Sequence, residues 1–440
     1  MKLKFKFKKG VHPSSNKLTA LREIEKAKTP EVAVIPLRQH IGAPAVPVVK
    51  RRDAVSCGQL IGESKGFVSS NIHSSVSGVV KNVGFELLPT GDKALAVTIE
   101  TKDSNEDIQF ALKEKSISEL DKSEIVNAIA SAGIVGLGGA GFPTHVKLSP
   151  PEGKSIDTLI INGSECEPFL TGDHRLMLEK PDEIIQGTQL LKKALSAENC
   201  FIGIEDNKLD AIQLFEEKLE DSSIKVVSVK TKYPQGAEKV LIKVLTGREV
   251  PAGGLPLDVG VVVQNVSTTY AVYEAVMLGK PLYERVVTVT GEVNEPKNLL
   301  VKIGTPISQL IEECGGYTNK AKRIIMGGPM MGIALLADEV PVIKTTTGIV
   351  VLPAPSVERT YPCINCNRCS DVCPMGLIPK MFALLRESGR FNDAVDYDVL
   401  NCYECGCCEY VCPSRIPIVQ SVKEIKSRLR REKMPVNRQP

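Results

Sequence analysis

The spacing of apolar residues in the middle of the chain is typical of repeated strand–helix units. Strand-like apolar runs at 156–161, 201–204, 224–229 and 259–263 alternate with segments of helical periodicity at 181–195, 237–245 and 269–278. Repeated units of this length require a largely parallel sheet covered on both faces. Ligands of such sheets bind at the carboxyl ends of the strands, where we expect Asn162 and Asn265.

A different pattern fills the N-terminal part of the chain. Positions 2–8 alternate lysine with leucine and phenylalanine, which predicts a strand with one lysine-covered face. We interpret it as a charge-protected edge strand rather than a membrane-binding device. Residues 46–83 form short β-segments separated by glycines, a pattern that resembles lipoyl- and biotinyl-type barrels. The hairpin at 72–78 has no lysine to carry such a cofactor, so we expect a structural or docking module.

Two further regions follow the central units. Residues 284–351 contain an apolar VVTVTG run, a turn at 294–296, a short helix after Pro306 and an MGGPMMG loop. This order is typical of a small β-grasp domain, which either binds a ligand or acts as a spacer for the next segment. Pro353 and Pro355 then indicate a linker, and the spacing beyond them is helical.

Composition narrows the class of protein. A length of 440 residues allows about three domains, and 42% hydrophobic residues is ordinary for a globular protein. A net charge of +3, the absence of tryptophan and few aromatic residues argue against nucleic-acid binding. The longest apolar runs fall short of the roughly 20 residues that a membrane helix needs. The basic N-terminus is followed by no apolar stretch, so we expect neither secretion nor a membrane span.

The cysteines carry the strongest chemical signal. Eight of the 13 cysteines form two copies of the run C-x2-C-x2-C-x3-C-P. These are Cys363, Cys366, Cys369 and Cys373 in the first copy, and Cys402, Cys405, Cys408 and Cys412 in the second. This spacing is typical of ferredoxins that hold two [4Fe–4S] clusters. A zinc ribbon would need only two CxxC pairs, and a disulfide framework is unexpected without a secretion signal.

In such ferredoxins the fourth cysteine of each run binds the other cluster. We therefore assign Cys412 to the cluster of Cys363, Cys366 and Cys369, and Cys373 to the cluster of the second run. The exchange joins the two halves of the segment, so folding and metal binding should be coupled. Cys407 lies outside the pattern and is interpreted as a spare thiol.

A glycine-rich loop precedes the parallel-sheet units. Ser118 and Asp121 have the spacing of a capping box for a helix that ends near Gly133. The following residues 136–141 match GxGxxG, but they follow a helix instead of a strand and lack the acidic residue of the Rossmann fingerprint. The five glycines at 133–141 permit close approach of a phosphate or a flat ring, although a tight structural turn explains them equally well.

Four strings in the sequence resemble, in order, the flavin- and NADH-binding flavoprotein subunit of respiratory complex I. They are GIVGLGGAGFPTHVKL at 133–148, NGSECEP at 162–168, QGAEKVLIKVL at 235–245 and QNVSTTY at 264–270. The resemblance implies FMN contacts at Gly136, Gly138, Lys147, Asn162, Glu165, Gly236 and Asn265, and NADH-facing positions at Phe142, Glu167 and Glu238. Without it, Glu167 and Glu238 would be ordinary strand-end carboxylates.

The strings also depart from that family. Leu137 replaces an arginine, Ser164 an aspartate, Ala237 a glutamate and Gln264 an asparagine. The loss of charge would weaken or reshape nucleotide binding.

The order of the regions resembles the C subunit of the Rnf complex. This implies an α/β multidomain chain with a lipoyl-like barrel-sandwich domain at 1–115, a complex I flavoprotein-like α/β domain binding FMN and NADH at 116–282, a β-grasp (SLBB-like) domain at 283–352, and an α-helical two-[4Fe–4S] ferredoxin domain with a basic tail at 353–440. No side chain is assigned as an acid or base, because hydride transfer needs none.

The resemblance further implies a role and partners. Such a chain passes electrons between two [4Fe–4S] clusters, FMN and NAD+/NADH in a membrane-bound ferredoxin:NAD+ oxidoreductase that translocates Na+ or H+. Its partners would be integral membrane and ferredoxin-like subunits, which would hold it peripherally on the cytoplasmic side of the cell membrane. A cobalamin reductase of the propanediol-utilisation type resembles the same modules. A non-enzymatic electron relay, with a flavin site lost at Leu137, Ser164 and Ala237, is the third interpretation.

The C-terminal tail is strongly basic. Between positions 421 and 438 it carries Lys423, Lys426, Arg428, Arg430, Arg431, Lys433 and Arg438. The pattern predicts either a solvated helix face or a surface that docks to an acidic partner or anionic headgroups.

Overall fold

The computed structural model of the chain describes residues 7–102, 110, 112, 115–355 and 359–433. The strand predicted at 2–8 falls mostly on residues 1–6, which lie outside the described residues, and residues 7 and 8 are not in a strand. No helix in the described ranges is long and apolar enough to cross a bilayer.

The N-terminal region folds into two small sheets that face each other. β1 (Ile24–Lys26) precedes them and joins another sheet, and the strands of the two sheets are β2 (Val32–Pro36), β3 (Val46–Pro47), β4 (Ala54–Val55), β5 (Leu60–Glu63), β6 (Ile72–His73), β7 (Gly78–Leu87) and β8 (Lys93–Thr101). One sheet has the order β2–β8–β7–β4 and the other β3–β5–β6. Ile35, Ile61, Ile72 and Ile99 are fully buried within them. Gly78 is required here, because a Cβ would lie 2.1 Å from the Glu100 carbonyl oxygen. The predicted barrel-sandwich is confirmed.

The next helix corrects the predicted cap. Helix α1 (Lys122–Ser131) begins at Asp121, whose carboxylate accepts from the Glu124 amide, while the Glu124 side chain accepts from the Asp121 amide. The capping box is therefore Asp121–Glu124, and the predicted box of Ser118 with Asp121 is wrong. An aspartate followed three residues later by a glutamate satisfies both free amides, which the serine does not do here.

The central region forms the expected parallel sheet. In chain order it contains α2 (Thr144–Lys147), β9 (Thr158–Gly163), α3 (Gly172–Glu179), α4 (Pro181–Leu195), β10 (Asn199–Glu205), α5 (Leu209–Lys218), β11 (Ile224–Val229), α6 (Glu238–Thr246), β12 (Val261–Asn265) and α7 (Val266–Tyr273), which continues as a π-helix at Glu274–Leu278. The strand order is β11–β10–β9–β12, with every pairing parallel. Asn162 and Asn265 are paired in register at the carboxyl ends of β9 and β12.

The third region is a mixed sheet. Its elements are β13 (Glu284–Gly291), β14 (Lys297–Lys302), α8 (Ile307–Glu313), β15 (Ala321–Met326), β16 (Ile333–Ala334) and β17 (Gly348–Pro353). The sheet order is β1–β14–β13–β17–β15–β16, and α8 buries Ile307, Leu310 and Ile311 in its core. The β-grasp prediction is confirmed, with β1 from the N-terminal segment added as an edge strand parallel to β14.

The C-terminal region is helical, as predicted. It contains α9 (Arg368–Val372), α10 (Pro379–Glu387), α11 (Cys407–Tyr410) and α12 (Ile418–Lys433), with 3-10 turns at Asn392–Val395 and Val399–Asn401. Its apolar core is small and includes Phe382, Val399 and Ile425.

Candidate functional site

The glycine loop lies on the carboxyl edge of the parallel sheet. The Gly136 amide donates to the Phe142 carbonyl at 2.9 Å, and the Gly141 amide donates back to the Gly136 carbonyl at 3.1 Å. Gly138 lies against Asn265 at the end of β12, since a Cβ on Gly138 would be 3.3 Å from the Asn265 Cβ. Gly138 is therefore in close contact with the end of β12, and a larger side chain at this position would press on Asn265.

A buried arginine from the β-grasp domain fixes this loop. Both terminal nitrogens of Arg285 donate to the Leu137 carbonyl at 3.2 Å, and the Leu137 amide donates to the Thr268 hydroxyl at 2.9 Å. Arg285 is only 5% exposed, and burial lowers its pKa to about 10. A cation therefore contacts the loop at the position where the flavoprotein resemblance expects an arginine on the loop itself. Sequence reasoning missed Arg285, which lies in an ordinary strand pattern.

Lys147 and Glu238 meet at the same edge. The Lys147 ammonium lies 2.8 Å from a Glu238 carboxylate oxygen and 3.1 Å from the Val263 carbonyl oxygen. Both side chains are partly exposed, so this ion pair adds little to stability. Phe142, at the end of the glycine loop, is half-buried.

Asn162 joins two loops of the sheet edge. Its amide nitrogen donates to the Gly236 carbonyl at 2.8 Å, and its amide oxygen accepts from the Ser164 amide at 3.0 Å. A Cβ on Gly236 would lie 2.4 Å from the Ser164 carbonyl oxygen. Gly236 is therefore required for the close approach of the two loops.

The carboxylates of Glu165 and Glu167 accept hydrogen bonds from backbone amides of the protein. Glu165 accepts from the amides of Asp173 at 2.8 Å and His174 at 3.4 Å at the start of α3, and burial raises its pKa. Glu167 accepts from the amides of Met330 at 3.0 Å and Met331 at 2.8 Å, and burial raises its pKa to about 7. Their assigned contacts with FMN and NADH remain predictions.

Two further polar residues at this edge, Asp173 and Lys17, were not predicted. Asn265 caps α7 through its side-chain oxygen and donates to Asp173 at 2.6 Å, so Asp173 connects α3 to the end of β12. Lys17 donates to the carbonyls of Glu165 at 2.8 Å, Glu167 at 2.9 Å and Leu170, and lies 4.0 Å from the Glu165 carboxylate. Lys17 is more than 140 residues from these partners in sequence, so no local pattern indicates it.

The edge also carries buried polar atoms that lack a partner in the described part of the chain. They are Ser164 Oγ, Glu205 Oε1, Gln235 Nε2 and Gln264 Nε2. These residues follow or end β9, β10 and β12, or precede α6, so all belong to the carboxyl edge of one sheet. Buried polar atoms without partners are rare in proteins and require an explanation. A flavin ring, which presents both donors and acceptors, fits this set of atoms.

The eight predicted ligand cysteines are divided between two cavities. One is lined by Cys363, Cys366, Cys369 and Cys412. The other is lined by Cys373, Cys402, Cys405 and Cys408, together with Cys407. The structure thus brings together the two exchanged sets of the sequence assignment.

The cysteine geometry differs from that of a site for one ion. Within the described ranges, no three His, Cys, Asp or Glu side chains converge as a single metal ion requires. In a cubane each thiolate binds a different iron, so four sulfurs surround a volume instead of meeting at a point. Two cavities, each lined by the four cysteines assigned to one cluster, fit [4Fe–4S] clusters.

The two cavities differ in their surroundings. Cys363 and Cys366 are exposed, whereas Cys373 and Cys405 are buried. The Tyr233 hydroxyl donates to the Cys405 carbonyl at 2.7 Å, and Tyr233 immediately precedes the loop that contains Gly236. We call the cavity of Cys405 the inner cavity and that of Cys363 the outer cavity.

Cys407 and the C-terminal helix complete the inner cavity. Cys407 is fully buried, and its sulfur lies 3.9 Å from the Tyr233 carbonyl oxygen, so it contacts the flavin-domain side of the cavity. On the other side Lys426 of α12 donates to the Cys402 carbonyl and to Glu404, both at 2.7 Å. One cation of the basic tail therefore has a structural role.

Family comparisons agree with this division. Residues 5–104 match the RnfC barrel sandwich hybrid domain, and residues 129–274 match the Nuo51 FMN-binding domain. Residues 286–334 match the SLBB domain, and residues 362–416 match the 4Fe-4S dicluster domain. The expected cofactors FMN and two [4Fe–4S] clusters are those of these domain families. The predicted boundaries at 115, 282 and 352 remain predictions.

A solved structure shares the fold. An NAD+-reducing [NiFe]-hydrogenase in the H2-reduced state superposes with a TM-score of 0.50 at 18% identity, covering 74% of this chain and 64% of that chain. At this identity the likeness concerns the fold alone.

Curated relatives cover most of the chain. The C subunit of the proton-translocating ferredoxin:NAD(+) oxidoreductase complex of Clostridium ljungdahlii is 47% identical over 96% of this chain and 93% of its own length. The Na(+)-translocating counterpart of Acetobacterium woodii is 44% identical over 85% of both chains. The C subunit of the ion-translocating oxidoreductase complex of Rhodobacter capsulatus is 42% identical over 97% of this chain and 83% of its own. The chain therefore belongs to the family of C subunits of Rnf-type ion-translocating ferredoxin:NAD+ oxidoreductases.

Proposed function

We propose that this chain passes electrons between NAD+/NADH and one-electron carriers as a subunit of an ion-translocating ferredoxin:NAD+ oxidoreductase. The observation that carries the proposal is the contact between the inner cavity and the flavin edge. Tyr233 bonds to the peptide of Cys405 and leads directly into the loop of Gly236, which is bonded to Asn162. These contacts support the proposal, because they would make the two-electron flavin site and a one-electron cluster site neighbours.

The sheet edge supplies the binding groups for FMN. Gly136 and Gly138 leave room for the cofactor, Asn162 and Asn265 position amide groups at two strand ends, and Lys147 supplies positive charge for a phosphate. FMN, when bound, converts hydride transfer into single-electron transfer. Phe142, Glu167 and Glu238 are proposed to position the nicotinamide, and Glu165 and Gly236 hold the surrounding loops.

We infer the order of electron transfer from the positions of the two cavities. The inner cavity, with Cys373, lies against the flavin domain, and the outer cavity, with Cys363 and Cys366, opens at the surface. Cys369 and Cys373 belong to different cavities but lie only four residues apart, at and just after α9. Electrons would therefore pass between the flavin edge and a partner through the inner cluster and then the outer cluster, and the path serves either direction.

The remaining subunits would supply ion transport. We infer integral membrane and ferredoxin-like partner subunits, with this chain held peripherally on the cytoplasmic side. The relatives include one named for protons and one named for Na+, and both names favour this role over a cobalamin reductase.

A reductive titration tests the proposal. The chain is reconstituted anaerobically with iron, sulfide and FMN, and NADH is then added. We expect the flavin absorption band to bleach and reduced-cluster EPR signals to follow, whereas protein reconstituted without FMN should show no cluster reduction. A flavin band that NADH leaves unbleached would contradict the proposal and favour the relay interpretation.

A further inference from the structure

The residues around the outer cavity form an exposed surface. Every residue from 359 to 368 is exposed, including the two ligand cysteines Cys363 and Cys366. Between and beside them, Ile364 is 67% exposed and Tyr361 is 57% exposed. This segment has no helix or strand before α9, so its large apolar side chains project from a loop that carries cluster ligands.

The same surface is positively charged. Arg368 and Lys380 line the outer cavity with the cysteines. Lys380 donates to the neutral side chain of Asn367 at 2.8 Å, and no carboxylate in the described ranges pairs with Arg368 or Lys380. Arg359 adds a third exposed cation, and Asp371 is the acidic residue of this stretch. Among the described residues 359–371 and Lys380, the surface thus combines an apolar centre with three cations and one carboxylate.

We propose that this surface docks an acidic one-electron carrier protein, an iron–sulfur protein with carboxylates around its own cluster. A small apolar patch around an exposed redox centre, surrounded by charge, fits a transient electron-transfer contact, which buries less than about 1,200 Å². Complementary charge raises the association rate without requiring tight binding. The proposal rests on the proposed function and adds the site and the chemical class of the partner.

The basic face of α12 is the alternative docking site and serves as a matched control. Lys423, Arg430 and Arg431 are exposed there and line an open pocket with Glu404 and Lys426. This face contacts the peptide of Cys402, a ligand of the inner cavity, and presents no exposed cysteine ligand. A carrier docked on α12 would bypass the outer cluster.

The test uses the full chain reconstituted with clusters and FMN, and an acidic two-[4Fe–4S] ferredoxin as the probe. Reduction of the ferredoxin by NADH is measured as a function of ferredoxin concentration and salt. We expect Ile364→Glu to lower kcat/KM for the ferredoxin by about tenfold. Lys423→Glu, which places the same new carboxylate on α12, should leave it unchanged. NADH–ferricyanide activity, which reports the flavin site, should be unchanged in both.

The outcomes separate the two hypotheses. If the parent chain has no NADH–ferricyanide activity, the proposed function is contradicted. An active flavin site with equal ferredoxin rates in the parent and Ile364→Glu would overturn the docking surface, as would a larger effect of Lys423→Glu. If Ile364→Glu loses iron, Tyr361→Glu replaces it.

Two further measurements test the docking surface without depending on the cluster content of a variant. A ferredoxin rate of the parent chain that does not fall with added salt would overturn the proposal. Co-sedimentation with vesicles containing anionic phospholipid distinguishes a membrane contact. If Ile364→Glu reduces vesicle binding but not the ferredoxin rate, the surface faces a membrane and the proposal fails.

Discussion

Replacing Lys17 by methionine tests whether the N-terminal segment builds the flavin edge. The Lys17 ammonium donates to three carbonyls of the loop between β9 and α3 and lies 4.0 Å from the Glu165 carboxylate. Methionine keeps the apolar stem but leaves these carbonyls without a charged donor and Glu165 without its nearest cation. Bonds to charged groups are worth about 1.5–3 kcal/mol each, and part of this sum is offset by the burial of the ammonium.

We therefore expect Lys17→Met to lower the free energy of unfolding by about 3 kcal/mol. If about 1.4 kcal/mol of this loss is spent on ordering the 164–170 loop when FMN binds, FMN binding weakens about tenfold. FMN affinity is measured by quenching of flavin fluorescence on titration with the protein, and stability by thermal unfolding under anaerobic conditions.

The matched control is Lys28→Met, which alters an exposed lysine of the same N-terminal segment. It should change neither FMN affinity nor the unfolding midpoint, and both variants should keep their iron. An FMN affinity of Lys17→Met within about twofold of the parent would refute the reasoning.

The remaining predictions concern the clusters, one carboxylate and the glycine loop. Cys369→Ser and Cys408→Ser should each remove about half of the roughly 8 iron atoms per chain and a different EPR signal, and unchanged iron would contradict the ligand assignment. Burial raises the pKa of Glu167 from 4.5 to about 7, so the folded protein holds this proton more tightly than the unfolded chain. The protonated Glu167 carboxyl therefore contributes about 3 kcal/mol to the free energy of unfolding relative to the ionised form. This contribution is fully present below pH 4.5 and is lost as the pH rises through 7. Thermal midpoints should therefore fall over this range relative to Glu167→Gln, and parallel pH curves would refute the shift. Gly138→Val should abolish FMN retention, because the new side chain would press on Asn265 and fill the loop, while the iron content stays unchanged. Retained FMN would show that the loop is not the binding element.

The elements with strong local patterns were predictable from the sequence. Helix α4 covers Pro181–Leu195 and β11 covers Ile224–Val229, as the apolar spacing predicts. Their patterns are complete within one segment, because a helix stripe or a buried strand records its own environment. The parallel sheet followed from the alternation of these elements. The misplaced capping box shows the limit, since two overlapping Ser/Asp–acidic patterns compete at one helix start and the aspartate provides the cap.

The candidate site was predictable only in part. Asn162, Asn265 and the glycine loop lie in strings that are continuous in sequence, and the fold places them at one edge. Lys17 and Arg285 reach the same edge from the N-terminal segment and from β13. Their contacts depend on how separate domains pack, and neither residue stands out from its local pattern. Nonlocal packing is therefore the information that the sequence pattern lacks.

Three of the four positions that depart from the flavoprotein pattern acquire a physical interpretation from the structure, and Ala237 does not. Ser164 and Gln264 replace an acidic residue and an asparagine, and each has a buried polar atom without a partner in the described ranges. At Leu137 the missing arginine is matched by Arg285, whose guanidinium contacts the same loop from another domain. The edge has exchanged charge for neutral hydrogen-bonding groups and for a cation held by the β-grasp domain. Because Arg285 is buried and directed at the same loop carbonyl, its cation replaces the one lost at Leu137, and this compensation argues against a site that has merely decayed.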